Sequence, residues 1–114
     1  MSEHQSSDIV EDGHIIVRVI GKLDVIAAKE FEARLSAHIE SPQPLIVLDF
    51  SECDYISSAG LRGILIAAKK SQTAKTTLVL AGMNKMVRQV FRVSGFDRML
   101  DIEPDVATAL ANQA

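Results

Sequence analysis

The amino-acid sequence predicts an α/β domain: a mixed sheet of about four to five strands flanked by about four helices. Three observations predict it. Apolar runs of strand length alternate with stretches whose apolar residues recur every three or four positions, the two periods of strand and helix. Asp12-Gly13 separates two such runs and marks an opening two-residue hairpin. Leu45-Ile46-Val47-Leu48-Asp49-Phe50 is apolar almost throughout, which suits a central strand covered on one face or both.

The elements follow in order. Residues 1–7 are polar and are expected to form a flexible N-terminal tail, with a single domain over residues 8–112. Asp8 to Glu11 and His14 to Ile20 make the hairpin arms, and Gly21-Lys22-Leu23-Asp24 is expected to break the second arm. Asp24 stands at a helix-cap position, where a carboxylate accepts amide protons and complements the helix dipole. A helix from Val25 to about Ile39 turns Ala28, Phe31, Leu35 and Ile39 inward; Ser41-Pro42-Gln43-Pro44 stops it, since proline cannot continue a helix.

A second helix, from about Ser58, carries Leu61, Ile64, Leu65 and Ala68 as its core stripe, with Arg62, Gly63, Ala67 and Lys70 opposite. Thr76 to Ala81 is the next strand. A third helix, about Asn84 to Val93, repeats the apolar pattern with Met83, Met86, Val87, Val90 and Phe91; the Met83, Met86 and Phe91 stripe is most simply core, with partner binding second, and Gly95 suits a left-handed cap. Met99 to Ile102 is a short last strand. Pro104-Asp105 then opens a final helix to about Ala111, with Val106, Leu110 and Ala111 inward and proline in the first turn.

Composition narrows the function. A chain of 114 residues with 47% hydrophobic content can bury its own core. Its net charge of −3 argues against nucleic acid, whose phosphates demand clustered cations; the longest basic run, Lys69-Lys70, is assigned to complementing a helix C-terminus. Cys53 stands alone, so no internal disulfide forms. The N-terminus lacks the apolar segment of a signal peptide, and no apolar run reaches the roughly 20 residues that cross a bilayer. A cytoplasmic protein without membrane insertion is expected.

Little catalytic chemistry is legible. His4, His14 and His38 share no ligand spacing, and Cys53 beside Asp54 has no histidine near it in sequence. No phosphate-binding or dinucleotide fingerprint follows a strand, so no metal, cofactor or enzymatic role is expected. Gly60-Leu61-Arg62-Gly63 matches the GXXG loop of nucleic-acid-binding KH domains in form only, because the apolar stripe of the second helix runs straight through it.

What stands out is Ser57-Ser58-Ala59-Gly60 at the mouth of that helix. One serine there suits an N-cap, worth roughly 1 kcal/mol. Glycine costs a helix roughly 1 kcal/mol against alanine, so Gly60 and Gly63 need a reason: close packing inside, or close approach by a partner. A phosphate on such a serine meets free amides and the positive end of the dipole, which offset its charge within the fold. Inside an interface the same charge is repelled or left unpaired at greater cost. The pattern suits a phosphorylatable serine on a binding module.

Four segments then carry a resemblance. Gly21-Lys22-Leu23-Asp24, Ile46 to Phe50, Tyr55-Ile56-Ser57-Ser58-Ala59-Gly60-Leu61 and Val90-Phe91-Arg92-Val93-Ser94-Gly95-Phe96 together resemble the STAS domain, most closely bacterial anti-sigma factor antagonists. The likeness runs from about Ile9 to Leu110 and implies a STAS-like fold over the whole domain. It also implies a partner switch. The unphosphorylated antagonist binds an anti-sigma factor that is also a serine-protein kinase, the kinase phosphorylates it to end the complex, and a PP2C-type phosphatase restores it.

Such proteins usually carry Asp-Ser at the helix mouth, with the serine modified. Matching Gly60-Leu61 puts Ser57 on the aspartate and Ser58 on the modified serine. Here a carboxylate is lost and a second hydroxyl gained, so Ser57 stays open as the second choice of acceptor. By the same resemblance Asp24, Ser57, Ser58, Ala59, Gly60, Arg62 and Gly63 form the partner-binding face. Two rival readings share these residues: a non-switching STAS subunit of a larger assembly, such as a lipid-transport ABC complex, and a small enzyme or ligand-binding protein using the helix terminus as an anion site.

Overall fold

The computed structural model describes residues 8–11, 13–40 and 44–113. The expected tail over 1–7, Asp12 of the hairpin and Ser41-Pro42-Gln43 lie outside them. The elements run β1 (Ile9–Glu11), β2 (His14–Leu23), α1 (Val25–Glu40), β3 (Leu45–Ile56), α2 (Ser58–Ala74), β4 (Thr77–Ala81), α3 (Lys85–Ser94), a 3-10 turn (Phe96–Arg98), β5 (Asp101–Glu103) and α4 (Val106–Gln113). The five strands stand side by side in chain order. β1 pairs antiparallel with β2, while β2–β3, β3–β4 and β4–β5 are parallel. The fold is therefore α/β with a mixed five-stranded sheet and four helices.

Alternation along β3 divides the core. Ile46, Leu48 and Phe50 join Val17, Leu80, Phe31, Leu35, Ile64, Val87 and Phe91 on the side covered by α1, α2 and α3. Val47 and Leu45 join Val79, Ala81 and Ala109 of α4 on the other side. Both faces of β3 are buried, which accounts for its unbroken apolar run. The Phe50 and Phe91 rings meet edge to face with centroids 6.2 Å apart, joining sheet to α3.

Several expected boundaries move. β2 passes through Gly21 as far as Leu23, because a bulge between Gly21 and Lys22 absorbs the glycine's positive φ of 78°. β3 continues past Phe50 to Ile56: it pairs with β4 only from Leu45 to Asp49, but with β2 as far as Leu23↔Ile56. Arg18 and Glu52 form an ion pair across this two-stranded extension.

At the other end, the 3-10 turn occupies the approach to β5, which starts at Asp101 rather than Met99. Pro104 lies ahead of α4, whose cap is Asp105; the Thr108 amide donates to its carboxylate at 2.7 Å and holds its pKa below the ordinary carboxylate value. Ala109, not Ala111, is the buried residue of α4. Met86 faces solvent. Lys69-Lys70 fall short of the last turn of α2, which closes on a left-handed Lys75.

α2 buries two faces instead of one. Leu61 and Ile64 face the sheet, while Gly63 and Ala67, expected outward, are buried as well. A Cβ at Gly63 would lie 2.6 Å from Glu32 Oε2 of α1, and one at Gly60 would lie 2.9 Å from the Leu23 carbonyl oxygen. Internal packing thus gives both glycines their reason. The obstacles differ in kind: a carboxylate tip swings aside, whereas the backbone end of β2 does not. Gly60→Ala is expected to cost about 1–3 kcal/mol by overpacking. Gly63→Ala should stay within about 1 kcal/mol of the parent, because improved helix propensity offsets the displaced Glu32. Urea denaturation of the two variants measures the contrast.

Candidate functional site

Parallel pairing of β2, β3 and β4 brings the N-termini of α1, α2 and α3 to one end of the sheet, the end where open α/β sheets place their ligands. Ser57 and Ser58 occupy that end in different ways. Ser57 is extended, with φ −88° and ψ 170°, and is the N-cap of α2. Its hydroxyl donates to the Leu23 carbonyl at 2.9 Å and accepts from the Gly60 amide at 3.1 Å. Its own amide donates to the same carbonyl at 3.0 Å. Both hydroxyl functions are used.

Ser58 is the first helical residue and is exposed, and its hydroxyl makes no hydrogen bond among the described residues. Arg62 lies exposed one turn further on, without an ion pair among the described residues. Ala59 is half-buried, and Gly60 and Gly63 are buried. The glycines therefore shape this face by letting α2 sit close to β2 and α1; they do not present it. Asp24 caps α1, accepting the Ala27 amide at 2.9 Å, and is exposed beside Leu23, whose carbonyl holds Ser57.

Sequence reasoning missed Val25, Ile26 and Tyr55 at this end and read Met86 as core first and partner-binding second. Val25 and Ile26 in the first turn of α1, Tyr55 near the end of β3 and Met86 in the first turn of α3 are all exposed, Ile26 at 76%. Their signal was apolar side chains placed ahead of, or beside, the core stripe of an amphipathic segment. Grouped apolar residues on a surface mark interaction sites.

The other sequence candidates serve the fold. His38 contacts Asp8 at 2.8 Å and His14 contacts Glu11 at 3.1 Å, tying the N-terminal strand down. Cys53 is buried, its thiol turned toward the Tyr55 carbonyl, and burial pushes its pKa up, away from a reactive thiolate. Among the described residues no group of three or more His, Cys, Asp or Glu is placed to hold a metal. No helix among them is long and apolar enough to cross a membrane.

The STAS domain pattern matches residues 6–109. The chain is 40% identical over 85 residues, 75% of its own length and 73% of the other, to BtrV, a candidate anti-sigma factor antagonist of Bordetella bronchiseptica. It thus belongs to the STAS domain family and, within it, to the anti-sigma factor antagonists.

Solved structures agree at the level of fold. An anti-sigma factor antagonist from Mycobacterium paratuberculosis superposes with a TM-score of 0.86 at 21% identity, covering 95% of this chain and 92% of that one. The antagonist SpoIIAA superposes with TM-scores of 0.73 in both its unphosphorylated form (16% identity, 96% of each chain) and its phosphorylated Bacillus form (19% identity, 96% of this chain and 100% of that one).

The two serines differ in what their removal costs. Ser57→Ala removes the cap and leaves the Gly60 amide without its acceptor, while the Leu23 carbonyl keeps the backbone amide of residue 57, so unfolding should become easier by about 1–2 kcal/mol. Ser58→Ala should lie within about 0.5 kcal/mol of the parent, as for surface positions generally. Thermal and denaturant melts of the pair check the assignment.

Proposed function

We propose that this chain is a phosphorylation-switched anti-sigma factor antagonist whose acceptor is Ser58. The unphosphorylated form binds an anti-sigma factor that is also a serine-protein kinase. Phosphorylation by that kinase ends the complex, and a PP2C-type phosphatase resets it. The observation carrying this reading is the division of labour between the serines: the Ser57 hydroxyl is engaged on both sides, while that of Ser58 is exposed and unengaged. Kinship with the anti-sigma factor antagonists supports the partner class, and a relative solved with and without phosphate supports the modification. On this reading the protein is a regulatory binding module, not an enzyme, and works in the cytoplasm.

The energetics favour a change of partner over a change of shape. A phosphate on Ser58 adds about 1.5–2 negative charges at neutral pH. At the first position of α2 the free amides and the dipole contribute about 0.3–1 kcal/mol in its favour, and Arg62 one turn away is free to pair with it. Set in an interface with Asp24 and the apolar residues Val25, Ile26 and Tyr55, the same charge loses hydration, which costs several kcal/mol per unpaired ion. The interface term is larger. The fold persists and the complex does not.

Ser58→Asp is expected to weaken binding to the anti-sigma kinase at least about a hundredfold, a loss of roughly 2.7 kcal/mol, while moving the melting temperature by less than about 2 °C. Isothermal titration and a thermal melt read these effects separately. Mass spectrometry after incubation with kinase and ATP should find one phosphate, on Ser58. Retained binding by Ser58→Asp would count against the switch. So would unmodified protein from cells that co-purifies with transporter subunits, which selects the non-switching assembly.

A further inference from the structure

α2 and α3 both carry three cations and no acid, but α3 gathers them into ten residues where α2 spreads them over 17. Lys85-Met86-Val87-Arg88-Gln89-Val90-Phe91-Arg92-Val93-Ser94 holds three cations and no acid, within a protein of net charge −3. Val87 and Phe91 are buried against the sheet. At 100° per residue Arg88, Arg92 and Lys85 fall within one outward arc, and Gln89, Val93 and Met86 follow beside it. All six are exposed, Met86 at 66% and Val93 at 75%. The outer surface of α3 is thus a basic stripe bordered by an apolar one, about 15 Å long by helix rise.

None of the three cations has an ion pair or a hydrogen-bonded partner on its side chain among the described residues. Arg92 in the last turn suits the helix dipole, but the rest of the placement works against the helix. Lys85 occupies the first position, where the dipole disfavours a positive charge, and no acid stands in the first turn. Lys85 with Arg88, and Arg88 with Arg92, are like charges at three and four residues, each pair mildly destabilising. Stability of the isolated domain accounts for Arg92 but not for Lys85 or for the crowding of like charges. Carboxylates supplied from outside would.

We propose that α3 is a second docking surface, for an acidic polypeptide segment that carries apolar side chains beside its carboxylates. The Arg88–Arg92–Lys85 stripe takes the carboxylates, and Met86 and Val93 take the apolar residues. Charge complementarity selects this occupant over a lipid surface, because the apolar face of α3 that would enter a bilayer is already spent on Val87 and Phe91. Lys85 and Met86 stand at the same end of the sheet as Ser58, but Arg88, Arg92 and Val93 continue along α3 away from it, so docking here persists when the switch is thrown, and its failure would leave the proposed phosphorylation untouched.

The test uses the whole chain and a fluorescent synthetic peptide with glutamates at helical spacing and two leucines alongside. Three comparison probes are the same peptide with serine for leucine, the same peptide with lysine for glutamate, and phosphatidylglycerol vesicles. Binding of the first peptide should weaken as salt rises above about 0.1 M. The Arg88→Glu/Arg92→Glu variant should weaken it at least about tenfold and take up the lysine peptide instead. Met86→Ser/Val93→Ser should weaken it severalfold at high salt and reduce the difference between leucine and serine peptides. Ser58→Asp should bind the peptide within about twofold of the parent. The proposal is overturned if charge reversal leaves the peptide affinity unchanged, if leucine and serine peptides bind the parent alike, if vesicles bind and the peptide does not, or if Ser58→Asp abolishes peptide binding.

Discussion

A single carbonyl oxygen, that of Leu23, organises the functional end of the molecule. It accepts both the amide and the hydroxyl of Ser57, and it faces Gly60, where no side chain fits. Through it the last residue of β2 fixes where α2 begins. Everything specific to the site follows from that anchorage: Ser57 is held inward as a cap, Ser58 is left outside, and Asp24, next in the chain, is carried to the start of α1. The departure from the usual Asp-Ser pair is chemically intelligible. A serine at the cap both accepts from the Gly60 amide and donates to the Leu23 carbonyl, whereas an ionised aspartate only accepts.

Much of the architecture was legible because the chain obeys simple periodicities. Phe31, Leu35 and Ile39 at helical spacing, and the apolar run of β3, led directly to α1 and the sheet centre. Failures occurred where two neighbours compete for one helix. α2 touches sheet and α1 at once, so its stripe is wider than one face, and Gly63 and Ala67 were assigned to solvent. The extension of β3 to Ile56 was hidden by Ser51, Glu52 and Asp54, polar because they face water on a ribbon lacking a third strand. Pro104 misled because its neighbour Asp105 captured the cap position.

The site was legible in part, and for a reason of distance. A cap hydroxyl, small residues and a helix start are local, and all lie within Ser57 to Gly60. The allocation of roles between Ser57 and Ser58 depends on Leu23, 34 residues away from Ser57, and no local pattern reports it. The apolar fringe of Val25, Ile26, Tyr55 and Met86 is assembled from three separate strand-to-helix junctions by parallel pairing. Each residue alone reads as ordinary core; only the common end of the strands makes them a surface.

With Ser58 as the proposed acceptor, that long-range anchorage decides what kind of signal the serine would be. A peptide cut from around residues 55–64 would keep the letters of the motif and lose the Leu23 oxygen that separates its two hydroxyls. The feature presented to a reader is accordingly a conformational epitope. It exists only where the Leu23↔Ile56 pairing is in place. On that reading a partly unfolded copy carries the linear text without the shape a kinase would meet.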